Sequence, residues 1–327
     1  MAALLEIRGL SAGLQGRRSV TEVVSNVDLD VQSGEILGVV GESGCGKSTL
    51  ATAIMRLLVP PQVLQSGTLT MNLKDGSRYE LLNLSPRALR ELRWRHLSYI
   101  PQGSMNSLNP VLRVGRQMTD TLIQHGLSQA EAHERSVAAL QLVNLEPRLL
   151  DSYPHELSGG MRQRVIIAAA VSMRPALIVA DELTTALDVV TQRQILQELT
   201  NIRDELGATI ILITHDMGVV AQIADRVAVM YAGKIAELGA VNGIFEAPLH
   251  PYSQGLIGSI PRESGQRIAG LPGEAPSPWN YPAGCRFHPR CSKVFEPCSE
   301  YEPGLRTQGS GRWAACHLYD AEVVSDA

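Results

Sequence analysis

Unbroken apolar runs that end abruptly in polar or glycine residues mark the strands of a predicted sheet. Three such runs occupy residues 36–40, 176–180 and 209–213. Continuous apolar runs are typical of strands that are buried on both faces of a parallel sheet. A helical pattern at residues 190–206 separates the second run from the third. Strands that alternate with helices in this way predict an α/β core whose ligand groups lie at the carboxyl ends of the strands.

Other stretches predict the parts around this core. Residues 4–31 are expected to form short strands, because polar and apolar residues alternate at 27–31 as in a half-exposed antiparallel strand. A helical, amphipathic pattern covers residues 114–150, and we predict an inserted helical subdomain at about residues 103–173. Past residue 250 the chain becomes rich in Pro, Gly and Ser. We therefore predict a first domain at residues 1–250 and a smaller extension at residues 251–327.

Composition argues against several classes of protein. The chain has 327 residues, a net charge of −4 and no long basic run, which argues against nucleic acid as the main partner. No apolar stretch approaches the roughly 20 residues that a membrane-spanning helix needs. The first residues lack the charged start and the apolar core of an export signal. We expect a cytoplasmic protein that docks on membrane-embedded partners rather than crossing the membrane itself.

The first apolar run leads into a phosphate-binding motif. Residues 41–48 read GESGCGKS and match G-x-x-x-x-G-K-[ST] at every fixed position. The glycines let backbone N–H groups approach a triphosphate closely, and the helix that follows directs its positive end at the anion. Lys47 supplies a charge for the β- and γ-phosphates, and the Ser48 hydroxyl is placed to bind Mg²⁺. The residues expected to contact the nucleotide are Gly41, Ser43, Gly44, Cys45, Gly46, Lys47, Ser48 and Thr49.

Polar side chains follow the other two runs. Asp181 and Glu182 come directly after the second run, where adjacent carboxylates would be costly unless they faced a metal ion or a reacting group. We expect Asp181 to hold Mg²⁺ and Glu182 to polarise the attacking water. A helix cap beside a solvated acid is the alternative for this pair taken alone. His215 follows the third run. A lone His at the end of a strand is more often structural, but a triphosphate site nearby favours a functional role.

A second helix start with anion-binding character occurs at residues 158–160. Ser158, Gly159 and Gly160 place a hydroxyl and two glycines at the opening of a predicted helix. One chain rarely needs two phosphate clamps for one nucleotide. If both clamps face the same phosphate, they are expected to come from different subunits.

These motifs, taken in order, resemble the ATPase subunit of an ABC transporter. The set comprises the phosphate motif, Gln102, the LSGGMRQR segment at 157–164, Asp181 with Glu182, the ALD triplet at 186–188, and His215. The resemblance covers about residues 1–245. It implies an α/β fold of the ABC-type P-loop kind, with a mixed sheet core, an antiparallel β subdomain and the helical insertion.

The resemblance also implies roles for single residues. Two such domains would close head to tail on two ATP molecules, each held by Lys47 and Ser48 of one subunit and by Ser158 and Gly160 of the other. The resemblance further implies that Gln102 contacts Mg²⁺ and senses the γ-phosphate. It also implies that Asp188 communicates across the dimer and that His215 holds the γ-phosphate and the catalytic water. In the family, the segment around Gln102 contacts the membrane subunit.

A narrower resemblance concerns dipeptide and oligopeptide importers. The GSMNSLNP segment at 103–110, the HPY triplet at 250–252 and the cysteine-bearing tail are similar to their ATP-binding subunits. This implies an ATPase that energises peptide uptake at the cytoplasmic face of the membrane. Its implied partners are a second, homologous ATPase subunit, two permease subunits and an extracytoplasmic substrate-binding protein. Relatives that import nickel, opines or oligosaccharides are the alternative, and a soluble ABC ATPase outside transport is a more distant one.

The other cysteines form a group in the tail. The predicted extension contains four of them: Cys285, Cys291, Cys298 and Cys316. This segment is too small for a core of its own, which suggests that a bound metal holds it together. Their spacings lack the CxxC pairs typical of structural zinc. In the importer family a similar tail binds a 4Fe-4S cluster in some members, and this resemblance favours a cluster here. Zinc and free or oxidised thiols stay open as alternatives.

Two details of the nucleotide site complete the expectations. Cys45 precedes a helix, and a thiol at a helix N-terminus can have a lowered pKa. We therefore expect thiol reagents to inhibit the ATPase and ATP to protect it. No aromatic residue precedes Tyr79, so a non-aromatic side chain such as Arg18 or Val20 is expected to cover the adenine.

Overall fold

The structure is a computed structural model that describes residues 3–184, 188–260 and 270–320. Two residues of the predicted ALD triplet, Ala186 and Leu187, lie outside the described residues, whereas Asp188 lies within them. No helix among these ranges is both long enough and apolar enough to pass through a bilayer.

Helices and strands alternate through most of the described chain. The helices are α1 Lys47–Ile54, α2 Pro86–Leu92, α3 Val114–Gln124, α4 Gln129–Leu142, α5 Gly159–Val171, α6 Val189–Leu206, α7 Met217–Ile223, α8 Val241–Glu246 and α9 Pro251–Gly258. The strands are β1 Leu5–Gln15, β2 Val20–Val31, β3 Ile36–Val40, β4 Gln62–Asn72, β5 Arg78–Glu80, β6 Leu97–Ile100, β7 Leu177–Asp181, β8 Thr209–Thr214, β9 Arg226–Tyr231, β10 Lys234–Ala240, β11 Arg306–Thr307 and β12 Trp313–Ala314.

The strands form two sheets within the described residues. One sheet has four strands in the order β2-β1-β4-β5, and the other has eight in the order β11-β12-β10-β9-β3-β8-β7-β6. In the larger sheet β3 pairs with β9 and β6 pairs with β7 in parallel, whereas β9 pairs with β10 and β10 with β12 antiparallel. The predicted mixed sheet is therefore confirmed.

The chain divides into two compact units. The first, which we call the helical unit, comprises residues 3–4, Val31–Ile36 and the described residues of Met71–Leu212. The second, which we call the loop unit, comprises Leu5–Asp30, Leu37–Thr70 and the described residues from Ile213 onward. Both units draw on several separate segments. The division of the sequence near residue 250 stays a prediction.

The three apolar runs form the strands that the sequence predicted. Every residue of β3, β7 and β8 is buried, as expected of strands covered on both faces. The helical pattern at 114–150 resolves into α3 and α4, separated by Gly126 and by a capping box in which Ser128 and Glu131 exchange hydrogen bonds. Burying these apolar faces fixes where the polar residues after each strand emerge.

Candidate functional site

The phosphate loop, residues 41–48, leads from the buried strand β3 into α1. Helix α1 begins at Lys47, and no side chain caps its N-terminus. Gly46 occupies the N-cap position with φ of 105°, a conformation that side-chain-bearing residues rarely adopt. The first N–H groups of an α-helix have no partner within the helix. This helix start therefore presents donors and positive dipole charge without a side chain in their way, which suits a phosphate.

Close packing explains why glycine is needed in the loop. A Cβ at Gly41 would lie 2.1 Å from the carbonyl oxygen of Met230, and one at Gly46 would lie 2.8 Å from that of Val23. Both distances are shorter than a van der Waals contact, and the obstacles are backbone atoms that cannot swing away. The loop thus holds a fixed shape that a substituted glycine would disrupt.

Lys47 is folded back onto the loop itself. Its side chain is buried, and Nζ donates hydrogen bonds to the carbonyl oxygens of Gly41 at 2.8 Å and Glu42 at 2.9 Å. These are neutral acceptors, so a phosphate oxygen would form a stronger, charge-assisted bond with the ammonium group. The lysine is therefore held at the loop by contacts that an anion can replace.

The structure corrects the expectation for Cys45. The side chain is 3% exposed, and its burial raises the pKa of the thiol above the usual value even though the Lys47 ammonium opposes this shift. A buried thiol that stays protonated is a poor nucleophile. The expectation of a lowered pKa at Cys45 is therefore wrong, because desolvation outweighs the favourable position before a helix. Inhibition by thiol reagents stays a prediction.

The remaining loop residues lie toward solvent. Ser43, Gly44 and Ser48 are exposed and Thr49 is partly buried. The exposed Ser48 hydroxyl leaves an oxygen that can bind a cation. The glycine cradle, the uncapped helix and the lysine together fit a nucleoside triphosphate.

In the helical unit, a glutamine and a carboxylate from two neighbouring strands meet. Strands β6 and β7 pair in parallel with Ile100 opposite Ala180, so the residues that follow them emerge at the same edge. Gln102 Nε2 donates a hydrogen bond of 2.6 Å to Glu182 Oε2. Glu182 adopts a positive φ of 48°, which is uncommon for a residue with a side chain and is typical of constrained functional positions. The structure thus brings together Gln102 and Glu182, two of the three predicted catalytic residues.

Asp181 has a neighbour that the sequence did not reveal. The Tyr99 hydroxyl lies 3.4 Å from Asp181 Oδ2 and donates to it. Asp181 is 1% exposed. Burial, with a smaller contribution from the Asp181 charge, raises the pKa of Tyr99, so the phenol stays a donor at neutral pH. Tyr99 therefore orients the carboxylate that is expected to hold Mg²⁺.

The signature segment, residues 157–164, opens α5. The Ser158 side chain caps this helix by accepting the Met161 N–H at 3.2 Å. Ser158 is exposed, and a hydroxyl that accepts one hydrogen bond can still donate another. A Cβ at Gly160 would come within 2.9 Å of Thr191 Cγ2, so glycine lets α5 approach α6.

Two further side chains of the signature segment point into the helical unit. Gln163 is 2% exposed and exchanges hydrogen bonds of 3.4 Å with Ser104. Arg164 pairs with the buried Glu198 at 3.0 Å. Burial raises the pKa of Glu198 to about 7, although Arg164 opposes the shift. These contacts fix the helix that carries Ser158 and Gly160.

Asp188 and His215 lie at the starts of helical segments. Asp188 caps α6 through Thr191, whose N–H and hydroxyl donate to its carboxylate at 2.9 Å and 2.7 Å. These hydrogen bonds lower the pKa of Asp188, and its side chain is exposed. His215 belongs to the loop unit, is exposed, and follows β8 as predicted. Both positions leave polar groups at the surface.

The sequence analysis missed two residues that contact the phosphate loop. The hydroxyl of Tyr252 accepts the Glu42 N–H at 2.9 Å, and the guanidinium group of Arg290 pairs with the Glu42 carboxylate. Tyr252 belongs to the HPY triplet, which marked the family resemblance without assigning this contact. No pattern in the sequence links residues 42 and 290.

The four tail cysteines lie close enough to influence one another electrostatically. Burial raises the pKa of Cys285 and Cys316 to about 11, and the neighbouring cysteines add to this shift. Among residues 3–184, 188–260 and 270–320, no three His, Cys, Asp or Glu side chains are arranged to hold a metal ion. The iron–sulfur prediction therefore has no support among the described residues.

Comparisons with known proteins agree with these features. The family described as "ABC transporter" matches residues 24–185, and the family described as "Oligopeptide/dipeptide transporter, C-terminal region" matches residues 236–298. The chain is 41% identical to the oligopeptide transport ATP-binding protein AppD of Bacillus subtilis over 98% of both chains. It is 43% identical to the oligopeptide transport ATP-binding protein OppD of Salmonella typhimurium over 96% of this chain and 93% of that one.

A solved structure is also similar. The ATP-binding cassette MJ0796, a dimer in a post-hydrolysis state bound to ADP and phosphate, matches with a TM-score of 0.63 and 27% identity. The match covers 72% of this chain and 98% of that one. It supports the mixed sheet and helices as a nucleotide-binding fold.

Proposed function

The chain belongs to the ATP-binding proteins of ABC transporters, in the oligopeptide/dipeptide group, and from that premise we propose that it hydrolyses ATP to energise peptide uptake. The observation that carries the proposal is the joint presence of an open phosphate loop and a Gln102–Glu182 pair after adjacent parallel strands. Relatives that match over nearly the whole chain are named for oligopeptide transport. The cargo class follows from those relatives.

In the proposed reaction, each side chain has a separate task. Lys47 binds β- and γ-phosphate oxygens, and Glu182 orients and polarises the attacking water. Gln102, bonded to Glu182 at 2.6 Å, holds that carboxylate until nucleotide is present. His215 is proposed to retain the γ-phosphate and the water. The phosphate loop binds the chain of phosphates through its uncapped helix start.

Mg²⁺, when bound, would supply positive charge to the phosphate oxygens. Ser48, Gln102 and Asp181 are the residues proposed to hold it, and all three offer the oxygen ligands that this ion prefers. The hydrogen bond from Tyr99 orients the Asp181 carboxylate for this role.

The proposed assembly has two ATPase subunits on two permease subunits at the cytoplasmic face of the membrane. Ser158 and Gly160 would complete the nucleotide site of the neighbouring ATPase subunit. Asp188 would communicate between the two ATPase subunits of the dimer. We propose a homologous second subunit as the neighbour and an extracytoplasmic binding protein as the source of cargo. Co-purification of the tagged chain, followed by identification of the polypeptides, tests this composition.

Replacement of Glu182 tests the catalytic part of the proposal. In the assembled transporter, Glu182→Gln should lower ATP turnover by roughly a hundredfold to ten-thousandfold, because the amide cannot polarise water as a carboxylate does. ATP binding should persist. Glu205→Gln is the matched control, since Glu205 is an exposed residue of α6. Full turnover in the Glu182 variant would remove that residue from the mechanism.

An uptake assay tests the cargo. Cells that lack the chain should fail to accumulate labelled di- and oligopeptides, and the wild-type chain should restore uptake while Glu182→Gln should not. Normal peptide uptake with loss of nickel, opine or oligosaccharide uptake would reject peptide cargo while leaving the ATPase proposal intact.

A further inference from the structure

The second residue of the phosphate loop is an acid in a place that should bind an anion. Glu42 lies between Gly41 and Ser43, and its side chain is 27% exposed. An ionised carboxylate so close to the loop would repel a triphosphate, since like charges interact strongly where water is partly excluded. The loop therefore needs a cation that cancels this charge without occupying the phosphate position.

Arg290 supplies that cation from the tail. Its Nη1 lies 2.6 Å from Glu42 Oε2 and its Nη2 lies 2.9 Å from Glu42 Oε1, so the pair is bidentate. The Arg290 side chain is only 6% exposed. A paired, largely buried guanidinium group neutralises the carboxylate much more completely than a solvated surface pair does.

Arg290 is itself held in place by the extension. Its Nε donates to the carbonyl oxygen of Pro272 at 2.7 Å. Its guanidinium group also lies 5.8 Å from the ring centre of Tyr231 and 6.0 Å from that of Phe287, within the range of cation–π attraction. Its orientation is therefore set before any nucleotide binds.

Tyr252 holds the backbone of the same residue. Its side chain is fully buried, and its ring packs against Tyr231 and Phe287 at centre distances of 4.5 Å and 5.4 Å. The hydroxyl at its end accepts the Glu42 N–H at 2.9 Å. The backbone and the side chain of Glu42 are thus both fixed by residues from beyond position 250.

A second route connects the extension to the loop. Arg286 donates to the carbonyl oxygen of Ala232 at 2.5 Å, and the N–H of the next residue, Gly233, donates to the Cys45 carbonyl oxygen at 2.8 Å. The extension therefore supports the loop near both of its ends.

We propose that Arg290 and Tyr252 are positioning residues for ATP binding: Arg290 cancels the charge of Glu42, and Tyr252 fixes its backbone. The proposal rests on the proposed ATPase function. It gives the C-terminal extension a role in nucleotide affinity. This role predicts the direction of each change in ATP affinity. Removal of the Arg290 charge alone should weaken ATP binding, whereas removal of both the Arg290 and Glu42 charges should restore it.

The test measures the Kd of the full-length chain for a fluorescent ATP analogue with Mg²⁺, and the Tm without nucleotide. Arg290→Gln should raise the Kd by roughly tenfold, because it leaves an uncompensated anion beside the phosphates. Glu42→Gln should leave the Kd within about twofold of wild type or lower it. The double variant should return to within about threefold of wild type. Tyr252→Phe, which keeps the ring, should raise the Kd by roughly threefold.

Arg306→Gln is the matched control. It removes the same charge from the same extension, where Arg306 pairs with Asp320 at 3.2 Å, and it should leave the Kd unchanged. Arg290→Lys keeps the charge and should bind ATP within about threefold of wild type, even if Tm falls. If Arg290→Gln does not fold, a tenfold rise in Kd for the folded Lys variant overturns the charge role.

The outcomes separate this inference from the proposed function. Lys47→Ala serves as the reference for loop-dependent binding. If wild type shows no binding that depends on Lys47, the proposed function fails. If wild type does show Lys47-dependent binding, and Arg290→Gln binds ATP like wild type but has a lower Tm, the ion pair only stabilises the fold. In that case this inference alone is wrong. Equal losses in both single variants with no recovery in the double variant would also overturn it.

Discussion

The phosphate loop and the signature segment both open a helix with glycine, but their helix starts are completed in different ways. The start of α1 has no side-chain cap, whereas Ser158 caps the start of α5 through the Met161 N–H. The phosphate loop is held from outside by Tyr252 and Arg290, while the signature segment is anchored within the helical unit through Gln163 and Arg164. The first is a ready-made anion site, and the second offers chiefly one exposed hydroxyl.

This difference explains a division of labour. An uncapped helix with a lysine can bind phosphate by itself, because its donors have no competing partner. A capped helix has already satisfied one of its donors, and its serine contributes a single further hydrogen bond. We therefore expect the phosphate loop to set nucleotide affinity and the signature segment to affect turnover in the assembled transporter.

Among variants that test this comparison, the largest effect is expected at Lys47. Lys47→Ala removes the charge that the loop holds at 2.8 Å from the Gly41 carbonyl oxygen. In the assembled transporter, ATP turnover should fall by roughly a thousandfold, since removal of a single transition-state donor already costs a hundredfold or more. Phosphate release at saturating ATP is the measurement. Arg174→Ala, in the helical unit, controls for loss of one positive charge, and comparable losses in both variants would contradict a specific role.

A pH effect of intermediate size is expected at His250, which precedes the tyrosine that holds the loop. Its ring Nδ1 accepts the Tyr252 backbone N–H at 3.0 Å, and the backbone N–H of His250 donates to the buried carboxylate of Glu237. Complete burial lowers the pKa of His250 to about 4. Since the folded pKa lies below the unfolded value, the stabilising contribution is full above about pH 6.5 and is lost as pH falls toward 4.

Between pH 7 and 5 this loss amounts to roughly 2 kcal/mol. Urea unfolding at several pH values should show it in the wild-type chain, and His250→Asn should show a shallower decline because an amide does not titrate. Asparagine keeps an acceptor at the N-cap position. Parallel curves for the two proteins would rule out His250 as the source of the pH dependence.

The smallest of these effects is expected at Ser158. Ser158→Asn keeps an N-cap but loses the hydroxyl, so Tm and the ATP affinity of the isolated chain should stay unchanged. Turnover of the assembled transporter should fall by roughly tenfold, which is less than complete loss of a donor costs, because the amide can still donate a hydrogen bond. Ser158→Thr retains a hydroxyl and is the control. A fall in ATP affinity of the isolated Asn variant would break the contrast between the two helix starts.

Local features of the site were predictable from the sequence. The strand β3, the glycine loop and the start of α1 follow from a contiguous apolar run and from spacing. The same holds for Asp181 and Glu182, which follow a run that can only be a buried strand. These features depend on neighbours in the chain, so the sequence displays them directly.

The pairing of Gln102 with Glu182 was predictable only in part. Each residue could be placed after a strand, but their 2.6 Å contact depends on β6 and β7 being parallel neighbours in register. Tyr99 shows the same limit, because a tyrosine within a short apolar run reads as an ordinary strand residue. Register between strands is set by packing of the whole sheet.

Cys45 shows where reasoning from spacing fails. A helix N-terminus predicts a lowered thiol pKa, but this expectation neglects burial. The structure buries Cys45 and raises its pKa, as it does for Cys285 and Cys316. Desolvation depends on all the atoms that surround a group, and a linear pattern does not contain that information.

By itself, the sequence determined the chemistry that is available: a phosphate loop, a catalytic carboxylate, a glutamine and a second helix start with a serine. Only the tertiary structure decided how the loop is supported, because residues 42 and 290 come together through folding of the extension within the loop unit. Local spacing specifies donors and backbone freedom. Ion pairs between distant residues, and the burial that sets their strength, exist only once the chain has folded.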